Sequence, residues 1–123
     1  MDARTINRSN VILYCERWSE TVDFYRRVLM LPADFENDWF VEFRLTGDSF
    51  VSIADARRAS VDSSAGQGLT LTLQVDDVHA EHRRLAAAGV AVGTVRTHPW
   101  GALGFFCRDP EGYRLEFWQP LEP

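Results

Sequence analysis

The 123-residue chain contains no lysine; all 13 of its basic residues are arginine. That absence excludes Schiff-base chemistry and a lysine general base. Cysteine is nearly missing too, with Cys15 and Cys107 alone. Two thiols build no disulfide framework, and no CxxC-type pair offers a metal knuckle. Positive charge is in deficit: 13 arginines against 18 acidic residues leave a formal charge of −5. This argues against a basic nucleic-acid-binding face and suits solubility or a cationic ligand. No apolar run approaches the ~18 residues of a membrane span, and no signal-peptide pattern opens the chain. A soluble, cytoplasmic protein with neither membrane nor nucleic-acid partners is the expectation. GxSxG, the Walker loop and the dinucleotide fingerprint are absent. What remains is a globular balance, 46% hydrophobic and 25% charged, enough for a single domain whose core needs no staples.

The pattern repeats. Residues 10–15 (NVILYC) read as a strand. Trp18, Val22, Tyr25, Val28 and Leu29 then recur at helical spacing, with Ser19 as candidate cap. Residues 69–75 (LTLTLQV) alternate as a half-buried strand. Asp76 and Asp77 offer a cap to a second helix that buries Val78, Leu85 and Ala88 and ends at Gly89. Asn10 thus aligns with Thr70, an offset of 60 residues. Each helix is followed by strands: 33–36, 39–45 and 50–54 in the first half, 90–95, 103–107 and 113–118 in the second. Gly47-Asp48 marks a hairpin, and Asp109-Pro110-Glu111-Gly112 a turn. Residues 57–67, small and polar, read as a linker. The prediction is an α+β fold of two βαβββ modules, residues 8–56 and 68–120, forming a curved mixed sheet with helices outside and a concave pocket.

Three pieces, DFYRRVL at 23–29, PWG at 99–101 and RDPEG at 108–112, resemble the vicinal oxygen chelate superfamily. That superfamily includes glyoxalase I, extradiol dioxygenases, fosfomycin-resistance enzymes and bleomycin-resistance binding proteins, and the resemblance covers nearly the whole chain. It implies a homodimer with pockets built from both chains. For the enzymes of the superfamily it implies a divalent metal held by His, Gln or Glu at four strand positions, which correspond to Asn10, Ser52, Thr70 and Glu116. Only Glu116 is a competent ligand; Asn10 offers a weak carbonyl oxygen, and serine and threonine are poor neutral ligands. No metal and no other cofactor is therefore expected. His79 and His82, three residues apart on the second helix, have no visible third ligand and read as a solvated face. His98, before Pro99-Trp100, reaches the pocket rim or faces water.

Alternation along the strands assigns the faces. Val11, Leu13, Cys15, Leu71, Leu73, Val75, Leu115 and Phe117 pack under the helices. Asn10, Ile12, Tyr14, Phe50, Ser52, Thr70, Thr72, Gln74, Arg114, Glu116 and Trp118 line the pocket. Phe105 joins them if the turn pairs Arg108 with Tyr113. A two-residue turn at Gly47-Asp48 pairs Phe43 with Ser52 and turns Val41 and Phe43 inward; a three-residue turn turns in Glu42 and Arg44 instead. Trp39 and Trp100 sit near the mouth. Phe24, Tyr25, Phe106 and Phe117 read as core. Cys15 is a buried hydrophobe, and Cys107 leans toward the pocket without a histidine partner.

The expected function is a metal-free binding protein of the bleomycin-resistance type, sequestering an aromatic, cationic natural product or antibiotic. The ligand-binding residues would be Tyr14, Trp39, Phe50, Ser52, Thr72, Gln74, Trp100, Phe105, Arg114 and Trp118. The alternative is a metal-independent isomerase, cyclase or lyase with Glu116 and either His98 or Tyr14 as acid–base groups, or a metal-dependent enzyme with unusual ligands. A regulatory or subunit-partner module is the third class.

Overall fold

A computed structural model describes residues 5–121. The chain divides into two compact units, Met1–Ser63 and Ser64–Pro123, each built as β-α-β-β-β.

Unit 1 contains β1 (Ser9–Cys15), α1 (Trp18–Asp23) continued by a π-helical turn (Phe24–Val28), β2 (Ala33–Glu36), β3 (Phe40–Thr46) and β4 (Ser49–Asp55). Its sheet runs β1-β4-β3-β2, with β1 parallel to β4 and the other pairs antiparallel. Leu13, Cys15, Val41, Phe43, Val51 and Ile53 are buried together with Tyr25 and Val22 of the helical segment. The π turn, in which Leu29 N–H donates to Phe24 O, admits an extra residue. Neighbouring Phe24 and Tyr25 both enter the core as a result, their rings edge-to-face at 5.4 Å. Ser19 is not the helix cap. Arg17 occupies that position without a side-chain capping bond, and the Trp18 indole N–H instead ties the start of α1 to Ile53 O at 2.9 Å.

The β3–β4 hairpin resolves the two registers left open by the sequence. Thr46 pairs with Ser49 across Gly47-Asp48, but the register shifts between Arg44 and Thr46, so that Glu42 lies opposite Ser52 and Arg44 opposite Phe50. A two-residue turn thus coexists with the facing of a longer one, because the bulge at Leu45 flips the strand.

Unit 2 contains β5 (Thr70–Gln74), α2 (Val78–Ala87), β6 (Arg96–His98), β7 (Ala102–Arg108) and β8 (Arg114–Pro120), in the order β5-β8-β7-β6. Asp77 caps α2 by accepting from Ala80 N–H at 3.0 Å, and Gly89 leaves the helix at φ +90°, the left-handed turn that favours glycine. The strand expected over residues 90–95 is absent. Val90 N–H closes the helix on Leu85 O, and Gly93 makes one bond to Phe106 O before the ladder begins at Arg96.

Candidate functional site

The face of the unit 2 sheet that carries Glu116 is set by the end of the β7–β8 hairpin. Asp109 Oδ1 accepts from the N–H groups of Glu111, Gly112 and Tyr113 at 2.9–3.0 Å. This five-residue loop pairs Arg108 with Arg114, where the shorter register paired it with Tyr113. The expectation for Phe105 is thereby corrected. Phe105 lies opposite Phe117, stacked on it at 5.4 Å, and is 1% exposed. Phe106 takes the place across from Glu116 and is half-buried, not core. Cys107 is corrected with it: it pairs with Leu115 on the helix-facing side. Burial, with Asp109 adding a smaller push, raises its thiol to about 11, which makes it inert at neutral pH.

Glu116 sits between Thr72 on one neighbour and Phe106 on the other. Thr72 Oγ1 donates to Glu116 Oε1 at 3.0 Å. His98 Nε2 lies 3.2 Å from Glu116 Oε2, both side chains being more than four-fifths buried. The ring nitrogen has no aligned hydrogen bond, so the contact is a close approach rather than a directed bond. His98 is fixed from three sides. Its carbonyl accepts from Gly101 N–H at 3.0 Å, closing the tight His98-Pro99-Trp100-Gly101 turn. That turn lays Trp100 on the imidazole, 5.4 Å between ring centres and 10° from parallel. Phe106 meets the imidazole edge-on at 6.1 Å. Trp118, paired with Gln74 and Gly104, meets Trp100 edge-on at 5.3 Å. Gly104 is required here: a Cβ would stand 2.9 Å from Phe117 O and 3.4 Å from His98 Nε2. The sequence named every member of this cluster except Phe106 and Gly104. The signal for Phe106 was Asp109, whose side chain can span the longer loop.

On the equivalent face of unit 1, Ser52 is fully buried and donates to Asn10 Oδ1 at 2.9 Å. Phe50 is 5% exposed and lies beneath Arg8 at 3.9 Å and Arg44 at 5.0 Å. Arg8 in turn pairs with Glu42 at 3.0 Å, and Arg44 with Asp34. Tyr14 and Trp39 line a cleft of about 390 Å³ with Ile12, Phe40 and Arg58.

The residues present do not fit a divalent metal. No group of three or more His, Cys, Asp or Glu able to hold one occurs among the described residues. Asn10 and Ser52 bond to each other. Thr70 Oγ1 accepts from Arg114 Nε at 2.9 Å, which sets a guanidinium where a second cation would be repelled. No helix among the described residues is long and apolar enough to cross a membrane.

Residues 8–117 match the family described as Glyoxalase/Bleomycin resistance protein/Dioxygenase superfamily. No curated protein matches the chain. Among solved structures, a glyoxalase/bleomycin resistance protein/dioxygenase from Nocardioides is similar with a TM-score of 0.80 at 19% identity, over 99% of this chain and 87% of that one. TnmS3, an antibiotic binding protein from Streptomyces sp. CB03234, follows at 0.76 and 24%, over 98% of each chain. A lactoylglutathione lyase from Agrobacterium tumefaciens gives 0.76 and 23%, over 96% and 95%. At these identities the likeness concerns the fold.

Proposed function

The chain belongs to the glyoxalase/bleomycin resistance/dioxygenase superfamily, and from that premise we propose that it is a metal-free binding protein for an aromatic, cationic small molecule. The observation that carries this reading is a carboxylate set into an aromatic wall: Glu116 among His98, Phe106, Trp100 and Trp118. Indole faces stack flat rings and attract cations, and Glu116 supplies the counter-charge. Thr72 and Gln74 give orientation along the neighbouring strand. Tyr14 and Trp39 stay in the proposal as walls of the unit 1 cleft. Phe50, Ser52 and Phe105, closed off by their own partners, leave it. Sequestration by mass action, in resistance or as a carrier, is the role that requires nothing more of these residues, and the antibiotic-binding neighbour supports it. A homodimer belongs to the same proposal, checked by sedimentation.

A second reading rests on the 3.2 Å approach of His98 to Glu116, the geometry of an acid–base pair for a metal-independent isomerase, cyclase or lyase. One experiment separates the two. Planar cationic natural products are screened by quenching of tryptophan fluorescence, and the best ligand is recovered for mass spectrometry. A binder returns it unchanged, and Glu116→Gln weakens it about tenfold, or about 1.4 kcal/mol. Conversion of the ligand, lost in Glu116→Gln with affinity retained, establishes the enzyme instead. About one retained metal ion per chain after desalting would overturn the metal-free part.

A further inference from the structure

The last rung of the β7–β8 pair sets Arg108 opposite Arg114. Like charges facing each other across antiparallel strands repel, yet neither guanidinium pairs with a carboxylate among the described residues. Arg108 Nη1 donates to Gly112 O at 2.7 Å, and Arg114 Nε donates to Thr70 Oγ1 at 2.9 Å. Both bonds orient the forks without neutralising them, and neither has a further hydrogen-bond or ion-pair partner among the described residues. Arg114 is also held 4.6 Å over the Phe106 ring. An arginine so pre-oriented loses little freedom on meeting an oxyanion, whose geometry its fork matches.

Two clefts of unit 2 meet at this pair. One, about 630 Å³, is walled by residues 65–70 and both arginines. The other, about 560 Å³, is walled by residues 91–93, Phe106 and Cys107 with the same two arginines. The first wall is held by backbone contact: a Cβ on Gly66, at φ +85°, would come 1.9 Å from Gly112 O, and one on Gly112 would come 2.8 Å from Ala65 O. One cleft is therefore polar and glycine-lined, the other apolar, and two unneutralised cations stand between them.

We propose that Arg108 and Arg114 form an oxyanion subsite for a small molecule that carries a phosphate or carboxylate group beside an apolar body. The anion lies between the guanidiniums, and the apolar part lies against Phe106, Ala91 and Val92. This site stands independently of the reading of Glu116.

The test is calorimetric titration of the full chain with phenyl phosphate, benzoate and inorganic phosphate. Saturable one-to-one binding of phenyl phosphate or benzoate is expected, and the tighter of the two identifies the preferred anion. Inorganic phosphate, which lacks the apolar part, binds more weakly than phenyl phosphate. Arg108→Gln and Arg114→Gln each weaken the preferred anion by about tenfold, with melting temperatures showing that both variants stay folded. Arg83→Gln, which removes an exposed arginine on α2, leaves the affinity unchanged. An equal loss in Arg83→Gln would reduce the effect to general charge attraction and overturn the proposal. So would the absence of saturable binding by either aromatic anion at millimolar concentration.

Discussion

Units 1 and 2 have the same strand order and the same pairing directions, but their equivalent faces differ in how far each satisfies itself. The place held by Ser52, between Ile12 and Glu42, is held in unit 2 by Glu116, between Thr72 and Phe106. On unit 1, the Arg8–Glu42 and Arg44–Asp34 pairs close over Phe50, and Ser52 bonds to Asn10. On unit 2, His98 Nε2 is buried without an aligned hydrogen bond, and the exposed Arg108 and Arg114 have no carboxylate partner among the described residues. An unmet buried polar group such as His98 Nε2 costs about 1–3 kcal/mol, so a fold is expected to hold such a group where an outside molecule completes it. A repeated module allows this division: one copy contributes a closed, self-paired face, and the other keeps groups open for recognition.

The sharpest way to break that contrast is a pair of truncations. Phe50→Ala removes a buried ring and should cost about 3–5 kcal/mol of stability while ligand affinity, measured well below the melting temperature, stays within about twofold. Trp118→Ala should do the reverse, lowering affinity by about tenfold or more, as loss of a central aromatic anchor does. If Phe50→Ala abolishes binding in folded protein, the self-paired part of the unit 1 face around Phe50 takes part in recognition and the contrast fails. Gly104→Ala comes next. Its Cβ meets the Phe117 carbonyl and the imidazole of His98, so overpacking should cost about 1–3 kcal/mol and displace His98. Affinity should fall although no residue that meets the ligand has been changed. Unaltered affinity would mean that His98 need not sit where it does.

The sequence disclosed the parts of this molecule that depend on periodicity. Alternation separated Leu13 and Cys15 from Tyr14, and Leu115 and Phe117 from Glu116, and the 60-residue offset announced two modules. It did not disclose what depends on one residue of backbone. The bulge at Leu45 and the five-residue loop under Asp109 each change the parity of a strand. Phe105 and Phe106 exchanged faces for that reason, and Glu42 and Arg44 could not be chosen over Val41 and Phe43. Residues 90–95 alternate as a strand does but have no ladder to join, because Val90 closes the helix behind it. The resemblance fixed Glu116 as a position of interest. The sequence offered His98 as one partner for it, but what seats the imidazole there, the tight turn over Pro99 and the absence of a side chain at Gly104, are tertiary facts.

The smallest effect compares the ends of the two central strands. β4 ends on Asp55, whose carboxylate accepts from Arg57 Nε and Nη2 at 3.0–3.1 Å and from Arg57 N–H at 3.1 Å. The corresponding residue of β8 is Gln119, a neutral amide that accepts from Val78 N–H at 2.7 Å. The Arg57 side-chain bond holds Asp55 below the usual carboxylate range, with burial opposing it in part. A carboxyl whose pKa is lower folded than unfolded stabilises the fold above its unfolded pKa, and the contribution is lost as pH falls through the folded one. Arg57 is exposed, so solvent screening keeps the contribution small. Asp55→Asn should therefore lower the melting temperature slightly at pH 7 and shrink the further drop seen on going to pH 3. Gln119→Ala should lower it by the same amount at both pH values, since nothing at that position titrates. A melting curve of Asp55→Asn that keeps the full acid drop would place the acid sensitivity elsewhere, and the two strand ends would then differ in chemistry but not in their response to pH.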